Sequence, residues 1–165
     1  RDAAPAPGAD ADASYDPEQA AQYIAWLGVD PDQDALLFGA LRAVLSKVLP
    51  RGWTMHKDGR GRTYFWNGLT NESHWTHPDH EIFNAIIRLR RLSAEQPDPC
   101  DFLQQIAAKL EAFEPVEPDR WSGPYFAEGG DRYWYDAEKD MSMWYDPVAE
   151  ATRQHVLKLD LVRSL

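Results

Sequence analysis

Three shortages in this chain each remove a class of explanation. There is one cysteine, Cys100, so no disulfide can form within the chain, which fits a reducing compartment. Cations are few: 17 Lys and Arg stand against 27 Asp and Glu, for a net charge of −10. A nucleic-acid backbone selects for lysine and arginine, so no nucleic-acid partner is expected. Long apolar runs are missing as well; none approaches the roughly 20 residues needed to cross a bilayer, so no membrane insertion is expected. No nucleophile and base stand at a recognisable spacing, and the carboxylates read as helix caps and an acidic surface. This predicts a non-enzyme without catalytic residues or cofactors. His74, His77 and His80 are the nearest approach to a metal set. Positions three apart on a strand face opposite ways, and His80 lies beyond Pro78, so no metal site is expected. Cys100 precedes a helical pattern where a thiolate would be favoured, but ordinary burial is the expectation. Arg rather than Met at position 1 suggests an excised or processed piece, whose targeting signals could lie upstream.

Tryptophan is what the chain has in excess. Six of its seven lie in two short stretches, which favours several small units over one ordinary core. From Trp53 to Pro78, aromatic and β-branched runs are separated by Asp58-Gly59 and Asn67-Gly68, both of which favour tight reversals. The stretch therefore reads as three short strands. Alternation puts Tyr64, Trp66, Ser73 and Trp75 on one face, an exposed aromatic groove. Phe65 turns to the other face, where Trp53 and Pro78 can meet it in a small core.

Around this sheet the pattern is helical. Residues 1–14 have almost nothing to bury and read as a disordered lead-in. Asp16-Pro17 opens a short helix that Gly28 stops, and Asp30-Pro31 repeats the start signal ahead of Leu37, Leu41, Val44, Leu45 and Val48. A third helix is expected over about 79–93 and a fourth from Asp98-Pro99 to about Phe113. The last, from about Val148, carries Val156, Leu157, Leu161 and Val162.

Aligned on their tryptophans, the pieces repeat. Asp30-Pro31 precedes Trp53 and Asp98-Pro99 precedes Trp121 by the same distance, so one unit of helix, helix and small sheet is used twice, and the last helix resembles the start of a third unit. Units this small rarely bury enough to be stable alone, so the helices are expected to buttress the sheets. In the second copy Tyr133, Tyr135, Ser142 and Trp144 share one face, while Trp134 joins Trp121 and Pro147. This copy diverges: the first loop reads as one residue longer, around Gly129-Gly130, and Asp136 replaces Asn, an acceptor without the amide donor. It is read either as a packing unit or as a second groove. Charge also separates the copies. Arg51, Lys57, Arg60 and Arg62 outnumber Asp58 and Glu72 in the first, whereas acids dominate 117–147, so the two should not prefer the same peptide. Arg60 and Arg62 are read as a solvated loop in preference to a phosphate site.

Trp53, Tyr64-Phe65, Asn67, Ser73, Trp75 and Pro78 stand at the spacings of the WW domain, which the stretch resembles without insertion. The resemblance implies that Trp53, Phe65 and Pro78 form a structural buckle, with Asn67 beside it. It implies that Tyr64 and Trp75, with Trp66 and Ser73, grip a proline-containing segment in polyproline II form. Carried to the second copy, it assigns Tyr133, Tyr135, Ser142 and Trp144 to ligand and Trp121, Trp134 and Pro147 to the buckle. Many WW domains grip a tyrosine after two prolines with a histidine; Gly68 and Ala137 occupy that position here, which argues against such a motif. The flanks Leu27 to Pro31, Leu49 to Trp53 and His77 to Phe83 are similar to the helix-enclosed WW region of the centriolar distal-appendage scaffold family, which docks a proline-containing segment of a tau-tubulin kinase.

The expected class is α+β: two three-stranded antiparallel WW-type sheets, each preceded by a pair of short helices, and a C-terminal helix. Units are expected at 15–49 (helical pair), 50–79 (WW), 80–115 (helical pair), 117–147 (divergent WW-like) and 148–165 (C-terminal helix). The expected function is a non-catalytic module that binds proline-containing segments within a centriolar or ciliary scaffold. Its partners would be other centriolar or ciliary proteins, and its location the cytoplasm and cytoskeleton, at the centriole, basal body or cilium. The alternative is an architectural subunit of axoneme or centriole whose sheets serve packing. A nuclear splicing adaptor fits less well, because its usual linker is much shorter.

Overall fold

A computed structural model describes residues 14–115 and 118–165; the expected lead-in, Ser14 apart, lies outside the described residues. In chain order come α1 (Pro17–Trp26), α2 (Ala35–Leu45), β1 (Trp53–Lys57), β2 (Thr63–Asn67), β3 (Glu72–His74), α3 (His80–Ala94), α4 (Pro99–Glu111), β4 (Trp121–Phe126), β5 (Arg132–Asp136), β6 (Met141–Met143) and α5 (Pro147–Arg163). The strands form two antiparallel sheets, β1-β2-β3 and β4-β5-β6, and the class is α+β.

Carboxylates set the helix starts. Asp16 accepts from the Glu18 and Gln19 N–H groups while the Gln19 side chain accepts from the Asp16 N–H, a reciprocal cap on α1. Asp98 caps α4 and Asp146 caps α5, each followed by proline at the first helical position. The start expected at Asp30-Pro31 is not a helix start. Asp30 accepts from Asp32 and Gln33 N–H in a turn, and α2 begins after Asp34, whose side chain accepts from Leu37 N–H. Asp34 also receives Arg90 Nε at 2.8 Å, tying the start of α2 to α3.

One core serves the helices and the back of the first sheet. Ala20 and Ile24 of α1, Leu37, Leu41 and Leu45 of α2, and Ile82, Phe83, Ile86 and Ile87 of α3 pack with Met55 and Phe65. Burial of this apolar surface, at about 25 cal/mol per Å², is what lets a three-stranded sheet persist. Leu161 and Val162 of α5 enter this same core, and α5 lies against α4 and α3. At its N-terminal end Arg153 forms a bidentate pair with Asp79, at 2.6 and 3.0 Å, and a second with Glu150. Asp79 sits at the N-cap of α3 but makes no cap bond there, its carboxylate being given to Arg153. Cys100 is exposed on α4, where Gln104 Nε2 approaches its Sγ, which corrects the expected burial.

Candidate functional site

In the first sheet, register fixes the faces. His56 pairs with Tyr64, Thr54 with Trp66, and Trp66 with Ser73, so Thr54, His56, Tyr64, Trp66 and Ser73 share one face, with Trp75 just beyond β3. Trp53, Met55, Phe65 and His74 share the opposite face, where Met55 and Phe65 enter the core, Trp53 packs against it and His74 stays exposed. There Phe65 is fully buried and lies 5.9 Å from the Tyr15 ring and 5.5 Å from His77, while Trp53 meets His74 edge-on at 5.1 Å. Pro78 and Trp53 line a cleft of about 290 Å³ that Tyr145 and Glu150 close from the other side.

On the groove face, the Tyr64 and Trp75 rings stand 6.0 Å apart at 67°, edge to face. The Arg62 guanidinium lies 4.5 Å from the Trp75 ring centre, a cation held on an aromatic face. The hairpin loop holds it there. Asp58 Oδ1 accepts from Arg60 and Arg62 N–H at 2.9 and 2.8 Å, Asp58 Oδ2 accepts from Arg62 Nε at 2.8 Å, and Gly61 supplies the positive φ of 76° that the turn needs. Burial would raise the Asp58 carboxyl, but the hydrogen bonds from Arg62 and Arg60 outweigh it and hold the carboxyl below the usual range.

Two features of this face were missed. His56 is 5% exposed and stacks on Tyr64 at 5.4 Å, its Nε2 2.8 Å from Thr54 Oγ1. The alternation that placed Tyr64 also placed His56, and pairing the strands residue by residue would have found it. Tyr64, expected as an exposed wall, is 2% exposed. Of the three spaced histidines, His74 meets Trp53 edge-on, His77 is buried against Phe65 and Phe83, and His80 bonds Tyr23 and Asn84. They do not face a common point.

Asn67 anchors the second turn by accepting from Leu69 and Thr70 N–H. Gly52 packs beside it with φ +88°, and a Cβ there would lie 2.7 Å from Leu69 Cδ1 and 2.9 Å from Asn67 Oδ1. Gly52→Ala is therefore expected to cost about 2 kcal/mol, read as a lower denaturation midpoint, from strain at positive φ and the displaced Asn67 turn.

The second sheet repeats this geometry with one insertion, which is not where the sequence suggested. Loops 58–62 and 127–131 are equal in length and carry the same paired bonds, Asp58 N to Arg62 O and Ala127 N to Asp131 O. The extra residue is absorbed in β4, where the register shifts between Ser122 and Tyr125 around Gly123-Pro124. Tyr133 and Trp144 stand 5.6 Å apart, Tyr125 takes the place of His56 at 5.5 Å from Tyr133, and Tyr135 pairs with Ser142 on the same face while donating to Asp140. On the back lie half-buried Trp121 and Trp134 and buried Pro147, the first residue of α5.

The change from Asn to Asp is matched by a second one. Asp136 keeps the turn role, accepting from Glu138 and Lys139 N–H, and Arg120, standing where the first sheet has Gly52, donates to its other oxygen at 2.7 Å. Burial would raise the Asp136 carboxyl; the Arg120 bond and the two N–H groups prevail and hold it low. The donor lost with the amide is thus supplied from the neighbouring strand end.

The model of the WW domain family matches residues 49–78. Over 80 residues the chain is 28% identical to the centrosomal protein of 164 kDa of Mus musculus, a match covering 47% of this chain and 6% of that protein. Residues 49–78 are accordingly a WW domain, an interaction module for proline-containing peptides.

Proposed function

We propose that the chain is a non-catalytic adaptor whose first sheet takes up a proline-containing segment between Tyr64 and Trp75, with Trp66 and Ser73 at the edge. The carrying observation is the Tyr64 and Trp75 ring pair at 6.0 Å, with His56 stacked on Tyr64 and the Arg62 cation on Trp75, an arrangement that would form an apolar slot bordered by a cation. A polyproline II helix fits such a slot because its shape is already set and little entropy is lost on docking. The partial likeness to a centrosomal protein supports a centrosomal scaffold as the setting, and by extension the centriole or cilium.

We read the second sheet as a divergent WW domain, and the paired exchange of Asn67 for Asp136 and Gly52 for Arg120 supports that reading. Tyr133, Tyr135, Ser142 and Trp144 would form its groove. Asp131 stands where the first sheet has Arg62, so its ligand would carry arginine or lysine beside the proline. Two weak grooves on one chain gain avidity for a partner that spans both.

Peptide titration by calorimetry tests this. An acidic proline-rich peptide should saturate the intact chain, and Trp75→Ala should weaken it at least tenfold, about 1.4 kcal/mol, with the unfolding midpoint little changed because Trp75 lies outside the core. A basic proline-rich peptide should respond to Trp144→Ala instead. Absence of saturable binding by either peptide would favour the architectural alternative.

A further inference from the structure

The two sheets differ most on the face turned away from their grooves. Strand pairing puts Phe126, Arg132, Trp134, Met141 and Met143 on the back of the second sheet, at the positions that Lys57, Thr63, Phe65, Glu72 and His74 hold on the back of the first. Lys57, Glu72 and His74, all exposed, are thus exchanged for a phenylalanine and two methionines. Burial does not account for the exchange. Phe126 is 67% exposed, Met141 is 36% exposed and Met143 is half-buried; among the described residues, none in β4, β5 or β6 belongs to the hydrophobic core or packs against it. The first sheet, by contrast, shares a core with α1, α2 and α3. Aromatic residues, methionine and arginine are the types enriched where proteins meet, and lysine and glutamate the types depleted, so the exchange runs in the direction an interface requires.

We propose that the back of the second sheet is a docking surface for an acidic amphipathic helix of a partner protein. This face lies opposite the groove, so the docking is independent of the proline-binding reading. The kind of partner follows from the first sheet, whose equivalent face already packs on helices. Its charge follows from two arginines. Beside Trp134 opens a cleft of about 440 Å³, with Arg132 on the wall of the second sheet and Arg51 and Leu69 on the wall of the first. Arg51 and Arg132 are exposed, and among the described residues neither side chain has an ion pair or a hydrogen bond. Each planar guanidinium can therefore take a carboxylate through two parallel hydrogen bonds. Asp131 at the rim offsets one cation and leaves the cleft positive. The net charge of −10 opposes an acidic partner at long range, but at ~0.1 M salt that repulsion is screened beyond about 10 Å, while the arginines act at contact. A second copy of this chain offers no such helix, because its described helices turn their apolar faces to their own core.

The test titrates the chain with an N-acetylated peptide that carries Leu and Phe at helical spacing and Glu elsewhere, followed through the indole N–H signals by NMR. Docking predicts a saturable shift of Trp134 with Trp75 unmoved, and about tenfold weaker binding when Gln replaces every Glu of the peptide. Arg51→Gln/Arg132→Gln should erase that tenfold difference, and Phe126→Ser/Met141→Ser should weaken both peptides alike. All four side chains are exposed, so the unfolding midpoint should change little and a lost shift reports docking rather than folding. Equal binding of the Glu and Gln peptides, or tighter binding of a Lys counterpart, would overturn the acidic partner. A shift of Trp75 with Trp134 unmoved, or no saturation with any of these peptides, would overturn the surface itself. A Trp134 signal that moves on dilution of the chain alone would overturn the proposal in favour of contact between two copies.

Discussion

Arg153→Leu is expected to destabilise the chain by about 3 kcal/mol, equivalent to a fall of roughly 6 to 12 °C in unfolding temperature for a chain of this size. Both terminal nitrogens of Arg153 engage Asp79, a carboxylate only 4% exposed, and the same guanidinium holds Glu150. Leucine would leave one buried carboxylate unpaired and a second beside it, and the desolvation cost of an orphaned charge exceeds the worth of the pair itself. Because the Arg153 side chain keeps 32% of its exposure, water can reach part of the site and the loss belongs at the low end for a broken buried pair. Chemical denaturation measures it. Adding Asp79→Asn removes the stranded charge and should recover more than half. A loss below about 1 kcal/mol would mean that Leu161 and Val162 hold α5 without the ion pair.

That ion pair also shows what kind of information the sequence carries. Asp58-Gly59, Asn67-Gly68 and period-two aromatics act over a few residues, so the strands and their faces can be read from neighbours alone. Asp30-Pro31 misled because the same dipeptide serves a turn or a helix start; what separates them is Asp34, which both caps α2 and reaches Arg90 56 residues away. The place of the extra residue in the second sheet was hidden for a similar reason. Gly129-Gly130 looks like an enlarged loop, but the register absorbs the residue at Gly123-Pro124, and register depends on both strands. The Arg120 and Asp136 pair was open to discovery, since two substitutions at cross-strand neighbours can compensate each other. The Arg153 and Asp79 pair, 74 residues apart on α5 and at the start of α3, leaves no local trace. Nor does the burial of Tyr64, since alternation gives the face a side chain takes but not its exposure.

His77 supplies the second large effect, and its sign follows from the direction of its shift. Burial holds the imidazole near pKa 4, below the ordinary value of about 6.5; Asp79 pulls it upward, while Arg153 and His80 add to the lowering. The geometry agrees with a neutral ring, because Nδ1 accepts from Asp79 N–H at 3.0 Å and the ring is packed against Phe65, Phe83 and Tyr15. Between these two pKa values the unfolded chain binds the proton and the folded chain does not. Stability contributed by the neutral ring is thus complete above about pH 6.5 and is lost progressively down to about pH 4, a total of about 3 kcal/mol. Asp58 and Asp136 have the opposite shift relative to their charge: their folded forms hold the proton less well than the unfolded chain, so their contribution stays in place above about pH 3.8 and is lost only at lower pH. The two effects therefore occupy separate windows. His77→Phe keeps a ring in the site, removes the titration and forfeits the Asp79 N–H bond, so it should be less stable at pH 7 yet lose about 3 kcal/mol less than the parent chain between pH 7 and pH 4. Denaturation curves collected across that interval decide it, and parallel losses in parent and variant would show that the buried imidazole is not what makes the fold sensitive to mild acid.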